Sequence, residues 1–178
     1  MRIIAGEWRG RRLSPLRGRD VRPTSDRVRE AWMSAMGGHF AGWRVLDLFA
    51  GSGALGLECL SRGAAHATFV DKAGSSLAVL RRNVALLGAQ DRATLVQADV
   101  LAWLARDPKE TATRPDVALA DPPYGQGLAA RVFERFLEAP FANALWVEHA
   151  TGEVLPPAPG LRQRRYGDTT ISHLDAPS

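Results

Sequence analysis

The chain has 178 residues, 46% of them hydrophobic and 24% charged, with one cysteine and a formal net charge of +4. That length suits one domain with a single sizeable core, and the balanced composition excludes wholesale disorder. The lone Cys59 excludes an internal disulfide and any cysteine-clustered zinc site.

The longest uncharged run, Ala31–Trp43, is 13 residues, short of the roughly 18 a membrane helix needs. The opening MRIIAGEWRGRR is basic but holds no apolar segment of signal-peptide length, so a cytoplasmic protein is expected. The charge is unevenly placed. Residues 1–30 carry nine arginines (2, 9, 11, 12, 17, 19, 22, 27, 29) against four acids, while residues 31–178 are close to neutral. A base-composition bias explains arginine outnumbering lysine 21 to 2, but not the clustering. Arginine matches phosphates bidentately and stacks on bases, so Arg9, Arg11, Arg12, Arg22 and Arg27 are expected to touch nucleic acid, the alternative being a solvated edge.

Residues 1–22 read as short apolar pieces, Arg2–Ala5 and Trp8–Leu13, broken by Gly6 and Gly10: a small hairpin or extended arm. After Pro23, Val28, Trp32 and Ala35/Met36 recur at helical spacing, with Thr24 or Ser25 as the N-cap and Gly37-Gly38 as the stop. From Arg44 strands and helices alternate. WRVLDLF is a strand, Ala54–Ser61 a helix closed by Gly63, and HATFVD a strand. Ser75–Leu87 is a helix ended by Gly88, ATLVQAD a strand, and Val100–Arg106 a short helix. A polar loop, Asp107–Pro115, leads to strand DVALAD, helix Leu128–Glu138 and strand ALWVEH. After Pro156, Pro157 and Pro159, two strands, Leu161–Tyr166 and Thr169–Leu174, turn near Gly167-Asp168. The alternation predicts a mostly parallel, doubly wound sheet with an antiparallel hairpin at one edge.

Ligands of such sheets bind beyond the carboxyl ends of the strands, and there the chain places Asp47, Asp71, Asp99, Asp121 and Glu148. Five acids in register suggest a shared rim. Gly51-Ser-Gly-Ala-Leu-Gly56 fits GxGxxG, and Asp71 stands where that fingerprint places its ribose-binding acid, so a dinucleotide enzyme is a fair first reading. Asp47 argues against it, because an anion there opposes a pyrophosphate and suits an ammonium group. S-adenosylmethionine fits better, with Asp71 accepting from ribose hydroxyls and Asp99 from the adenine amine. On this reading a bulky residue at Gly53 blocks backbone approach to the ligand; without a ligand, the loop is a tight strand-to-helix turn.

Asp121-Pro122-Pro123-Tyr124 is the sharper signal. Read as plain structure, it is a turn with Asp121 as a local cap and Tyr124 packing down. Read as chemistry, it serves an exocyclic amine on a planar base. Asp121 and a carbonyl in the rigid Pro-Pro turn accept its two N–H bonds and aim the lone pair at a methyl donor. Tyr124 offers a ring for the extruded base, and stacking alone leaves its hydroxyl dispensable. No metal is required. The histidines (39, 66, 149, 173) lack ligand spacing, and Cys59, mid-helix, reads as packing. Trp32, Trp43, Trp103 and Trp146 read as core, Trp8 as a candidate RNA platform, and Asn83 as solvent-facing.

MRIIAGEWRGRRL, RPTSDRVREAW, VLDLFAGSGALGLECLSRGA, FVDK, DPPY and RRYGDTTIS together resemble the RsmD family of ribosomal RNA small-subunit methyltransferases, over essentially the whole chain. DLFAGSG and DPPY are shared by many amino methyltransferases; the two N-terminal segments are far more specific. The resemblance implies a Rossmann-like class I S-adenosylmethionine-dependent α/β fold. It would have a mostly parallel seven-stranded sheet, an antiparallel C-terminal strand and an N-terminal hairpin-and-helix extension. It implies methylation of a guanine N2 amine in 16S rRNA, on the small subunit or an assembly intermediate, by a monomer without metal or membrane. The cofactor pocket would comprise Asp47, Phe49, Ala50, Gly51, Ser52, Gly53, Asp71, Lys72, Asp99, Val100 and Asp121. Asp121, Pro122, Pro123 and Tyr124 would hold the target amine. Residues 1–40 would form the RNA-binding extension and 41–178 the methyltransferase domain. The polar Ala105–Pro115 loop and the proline-rich Pro156–Gly160 stretch depart from the family pattern without touching its motifs. The rival readings are a DNA adenine-N6 methyltransferase, which leaves little chain for sequence reading, and a non-catalytic RNA-binding assembly factor.

Overall fold

Runs such as Val117–Ala120 hide side chains on both faces, which suits a strand flanked by parallel neighbours under two helical layers. The structure, a computed structural model, describes residues 1–16, 26–106 and 114–177. Its elements are α1 (Asp26–Ala35), β1 (Arg44–Leu48), α2 (Ala54–Ser61), β2 (His66–Asp71), α3 (Gly74–Leu87), β3 (Ala93–Gln97) and α4 (Val100–Leu104), followed by β4 (Val117–Ala120), α5 (Leu128–Glu138), β5 (Ala144–Ala150), β6 (Arg162–Tyr166) and β7 (Thr169–Asp175). A single 3₁₀ turn, Gln90–Arg92, precedes β3. Among the described residues no helix is long and apolar enough to cross a membrane.

The seven strands form one sheet in the order β3-β2-β1-β4-β5-β7-β6. The pairs among β1 to β5 are parallel, and β7 runs antiparallel to both neighbours. From β1 the chain winds outward through β2 and β3, then returns to lay β4 and β5 on β1's other side. The carboxyl ends of β1 and β4 therefore frame the switch point where such sheets bind ligands.

Two cores flank the sheet. One joins the N-terminal arm, α1, α2 and α3 to residues such as Val45, Phe69 and Leu119; the other joins α4 and α5 to Leu46, Leu48 and Val147. On α5, Ala129, Val132, Phe133 and Phe136 recur at helical spacing and are buried, at about 1.5–3 kcal/mol for each large side chain. β1 stops at Leu48 rather than running through Phe49, because Phe49 turns left-handed (φ 58°), unusual for a bulky side chain. α4 ends at Leu104, and the polar loop after it lies largely outside the described residues, as do Arg22 and the expected caps Thr24 and Ser25.

The arm is a hairpin bridged antiparallel at Arg2 and Arg12. It lies on α2. Gly6 (φ +84°) passes so near that a Cβ there would sit 1.8 Å from the Ser61 carbonyl oxygen. Glu7 N–H donates to that oxygen and Trp8 N–H to Ser61 Oγ, at 2.7 and 3.0 Å.

Candidate active site at the β1–β4 switch point

The loop after β1 is held by acids at the strand ends. Asp47, 1% exposed, accepts from Gly56 N–H at 2.9 Å through Oδ2. Asp71 accepts from Gly51 N–H at 2.9 Å and Ala73 N–H at 2.8 Å, one bond to each oxygen. Each acid thus shapes the loop, and each oxygen keeps lone-pair capacity beyond its backbone bond. Asp99 caps α4 by accepting from Ala102 N–H at 3.0 Å, and its residue is exposed.

Gly53 is required for a reason no local pattern shows. At φ +81° its Cβ would lie 2.2 Å from Leu80 Cδ1, so a side chain there clashes with the protein's own core even before any ligand is considered. Ala50 and Ser52 are buried, Phe49 half-buried, Lys72 exposed, and Val100 packs into the second core.

Burial pushes the Asp47 carboxyl well above its ordinary range; the Gly56 N–H opposes this, and the charges of Asp121 and Asp71 add to it. Asp71 at the end of β2 and Asp121 just beyond β4 therefore both act on Asp47 in β1. A cationic ligand would relieve that repulsion.

Beyond β4, Asp121 is half-buried, Pro122 buried and Pro123 exposed. Tyr124 turns its hydroxyl under the carboxyl end of β5, donating to Glu148 Oε1 at 2.9 Å and pairing with Thr169 Oγ1 at 3.0 Å. Burial raises the hydroxyl's pKa, against the Thr169 bond, with Glu148 and Asp121 adding to the rise, so it stays protonated. The hydroxyl expected to be dispensable thus fixes the ring through two bonds.

The arm arginines divide. Arg9 and Arg27 line, with Arg2, Asp26 and Glu30, a cleft of about 420 Å³ between the arm and α1. Arg11 and Arg12 are exposed, and Arg22 lies outside the described residues. Trp8 is not a free platform: it is 7% exposed in the first core, with the Arg92 guanidinium 5.2 Å from its ring centre. Asn83 does not face solvent. Fully buried on α3, it accepts from Ser14 N–H at 2.8 Å and donates to the Ser14 and Ser52 carbonyls at 3.1 and 2.9 Å. It ties the arm to the glycine loop. Cys59 is buried and its thiol pushed well up, chiefly by desolvation, so it is no nucleophile.

Sequence reasoning misses Asn83, Glu58 and Ser61 as anchors because their partners in the arm lie far away along the chain. A buried polar residue on an otherwise apolar helix face is the one available signal.

This strand order, with an acid-held glycine loop after β1 and Asp-Pro-Pro-Tyr after β4, defines a class I methyltransferase fold. A solved Escherichia coli structure, the candidate methyltransferase yhhF, superposes with a TM-score of 0.81 at 32% identity, covering 99% of this chain and 97% of that one. The family profile described as conserved hypothetical protein 95 matches residues 1–174. Ribosomal RNA small subunit methyltransferase D of Escherichia coli K12 is 40% identical over 128 residues, 72% of this chain and 62% of that protein. The matched stretch thus spans less than two thirds of that relative's length. Its namesake from Buchnera aphidicola of Acyrthosiphon pisum is 34% identical over 147 residues, 82% of this chain and 72% of that one. The chain belongs to the RsmD family.

Proposed function

We propose that this chain transfers a methyl group from S-adenosylmethionine to the exocyclic N2 amine of a guanine in small-subunit ribosomal RNA. One observation carries the reading: an acid-rimmed glycine loop and an Asp-Pro-Pro-Tyr turn meet at one switch point, and the tyrosine is fixed by Glu148 and Thr169. The names of the relatives supply the substrate class.

The rim fits the cofactor. Asp121 and Asp71 both bear on the buried Asp47 carboxyl, which favours a cation beside it. Asp71 and Asp99 offer carboxylate lone pairs to ribose hydroxyls and an adenine amine. Phe49, Ala50, Gly51, Ser52, Gly53, Lys72 and Val100 surround them in this assignment. The cofactor supplies an electrophilic methyl group on a positively charged sulfur.

The guanine amine is a poor nucleophile, its lone pair delocalised into the ring. Asp121 and a carbonyl of the Pro122-Pro123 turn accept its two N–H bonds and offset the positive charge that grows on nitrogen. With the cofactor bound, the methyl group would pass from sulfur to the nitrogen held by Asp121, which would take the proton the nitrogen sheds. Tyr124 stacks under the base, worth about 1–3 kcal/mol, so the target must be unpaired or extruded. The arm arginines 9, 11, 12, 22 and 27 hold flanking phosphates.

The test incubates the protein with methyl-labelled S-adenosylmethionine and small-subunit particles, both assembling and mature, from cells lacking the activity. Labelled N2-methylguanosine is the expected nucleoside by mass spectrometry. Asp121→Ala is expected to keep cofactor binding by calorimetry and to lose single-turnover rate on the order of 10²–10³-fold. Label in DNA adenine, or tight NAD binding without S-adenosylmethionine binding, overturns the reading.

A further inference from the structure

Edge strand β6 spells Arg-Gln-Arg-Arg-Tyr, with its first four residues exposed and Tyr166 half-buried. By strand alternation Arg162, Arg164 and Tyr166 share one face. The register sets Arg162 beside His173 and Trp146, Arg164 beside Ile171 and Glu148, and Tyr166 beside Thr169 and Ala150. That face is therefore the one whose Glu148 and Thr169 anchor the Tyr124 hydroxyl.

Trp146 and His173 stack there, ring centres 4.2 Å apart at 18°. Both line, with Ala35, Ile171, Arg162, Arg164 and Tyr166, a shallow groove of about 100 Å³ with no acidic residue in its wall. His173 Nε2 pairs with Asp175 Oδ1 at 3.0 Å. Among the described residues, neither Arg162 nor Arg164 makes an ion pair or a side-chain hydrogen bond. The groove also stands apart from the arm cleft. It meets α1 at Ala35, whereas the cleft meets it at Asp26, Arg27 and Glu30, the nearest of them about 8 Å back along the helix.

We propose that this face of β6 is a second RNA-contact surface, which carries the single strand flanking the target nucleotide away from Tyr124. The proposal rests on the RNA-methyltransferase reading above. Charge alone would serve to guard a sheet edge against aggregation. A stacked aromatic pair in the same groove as two arginines goes further, since basic groups combined with aromatic rings are how single strands are held without sequence readout. From Thr169 to His173 the face runs four residues, about 13 Å, starting where the base platform is fixed.

The test measures binding of naked small-subunit rRNA across a salt series for wild type, Arg162→Ala/Arg164→Ala, Arg162→Lys/Arg164→Lys and Arg9→Ala/Arg11→Ala/Arg12→Ala. The double alanine variant is expected to flatten the log–log salt dependence by roughly 0.7 per lost phosphate contact and to weaken binding on the order of tenfold at 0.1 M salt. The lysine pair is expected to keep the wild-type slope, because a point charge still neutralises phosphate. Calorimetric S-adenosylmethionine binding reports that each variant is folded. If wild type methylates this RNA but the double alanine variant keeps the wild-type slope, β6 has no such role. If wild type transfers no methyl to any small-subunit RNA, the enzymatic reading fails first and takes this one with it.

Discussion

Asn83 offers a direct test of how the arm is joined to the glycine loop. Its side chain is fully buried and makes three hydrogen bonds, two to the Ser14 backbone and one to the Ser52 carbonyl. A buried bond contributes a net of about 1 kcal/mol, so Asn83→Ala is expected to cost about 3 kcal/mol. In a protein of this size that lowers the melting temperature by on the order of 6–12 °C. Asn83→Asp separates geometry from size. One oxygen can still accept from Ser14 N–H, but the other faces two carbonyl oxygens and carries a buried charge. The ionised variant is therefore expected to be less stable than Asn83→Ala at neutral pH. Its carboxyl pKa is raised in the folded state, so the deficit shrinks as pH falls and the acid protonates. Urea unfolding at several pH values measures both variants. An alanine variant as stable as wild type, or an aspartate variant more stable than alanine at neutral pH, refutes the assigned bonding.

Three further outcomes concern the site itself. Gly53→Ala, strained at φ +81° and 2.2 Å from Leu80 Cδ1, is expected to lower stability by about 2–4 kcal/mol even without cofactor, measured by denaturation. Tyr124→Phe is expected to keep base stacking but lose its fixed ring angle along with the hydroxyl's bonds to Glu148 and Thr169; single-turnover methyl transfer should fall severalfold with cofactor affinity unchanged, and no change in rate denies the hydroxyl a positioning role. Asp47 has a folded pKa raised above its usual 3.8, so its contribution to stability is full below that value and is lost as pH rises through the folded pKa. Asp47→Asn should therefore gain stability on wild type as pH climbs above about 4, while binding S-adenosylmethionine more weakly; a stability difference independent of pH counts against burial of the charge.

Where the signal is local, the sequence suffices. Ala54–Ser61 and Leu128–Glu138 are bounded by glycines and apolar stripes and form α2 and α5 at those residues. The acid at each strand end is legible because strand period and loop position fix where it falls. The failures are long-range. Gly53 reads as a residue for ligand approach, and nothing local shows the second constraint on it, Leu80 on the far side of β2 in the chain. Trp8 looks available among charged neighbours, yet its ring belongs to the core beside Arg92. Asn83 looks like a surface residue because nothing near it in sequence is its partner. In each case an interaction between distant segments overrides the local pattern.

The arm's attachment bears on how the basic arm and the glycine loop are coupled. α2 is apolar along most of its length, yet Glu58 sits within it at 0% exposure. The carboxylate accepts from Ile4 and Ala5 N–H at 2.8 and 3.0 Å and from Arg62 Nε at 2.8 Å, with Arg29 Nε 3.9 Å away. A buried ion pair alone is weak evidence for stability, since an apolar isostere often serves as well. Here an apolar replacement would strand two backbone donors of the arm, so the carboxylate fixes where the arm lies. The helix carrying Glu58 begins at Ala54, directly after the glycine loop, while Asn83 grips the loop and the arm at Ser52 and Ser14. The arm is thus tied at Ile4 and Ala5 to the helix that leaves the glycine loop, and at Ser14 to the residue that holds Ser52. A displacement of either must break buried polar bonds or carry the other along, which makes the basic arm and the glycine loop one mechanical unit rather than a tail on a catalytic core.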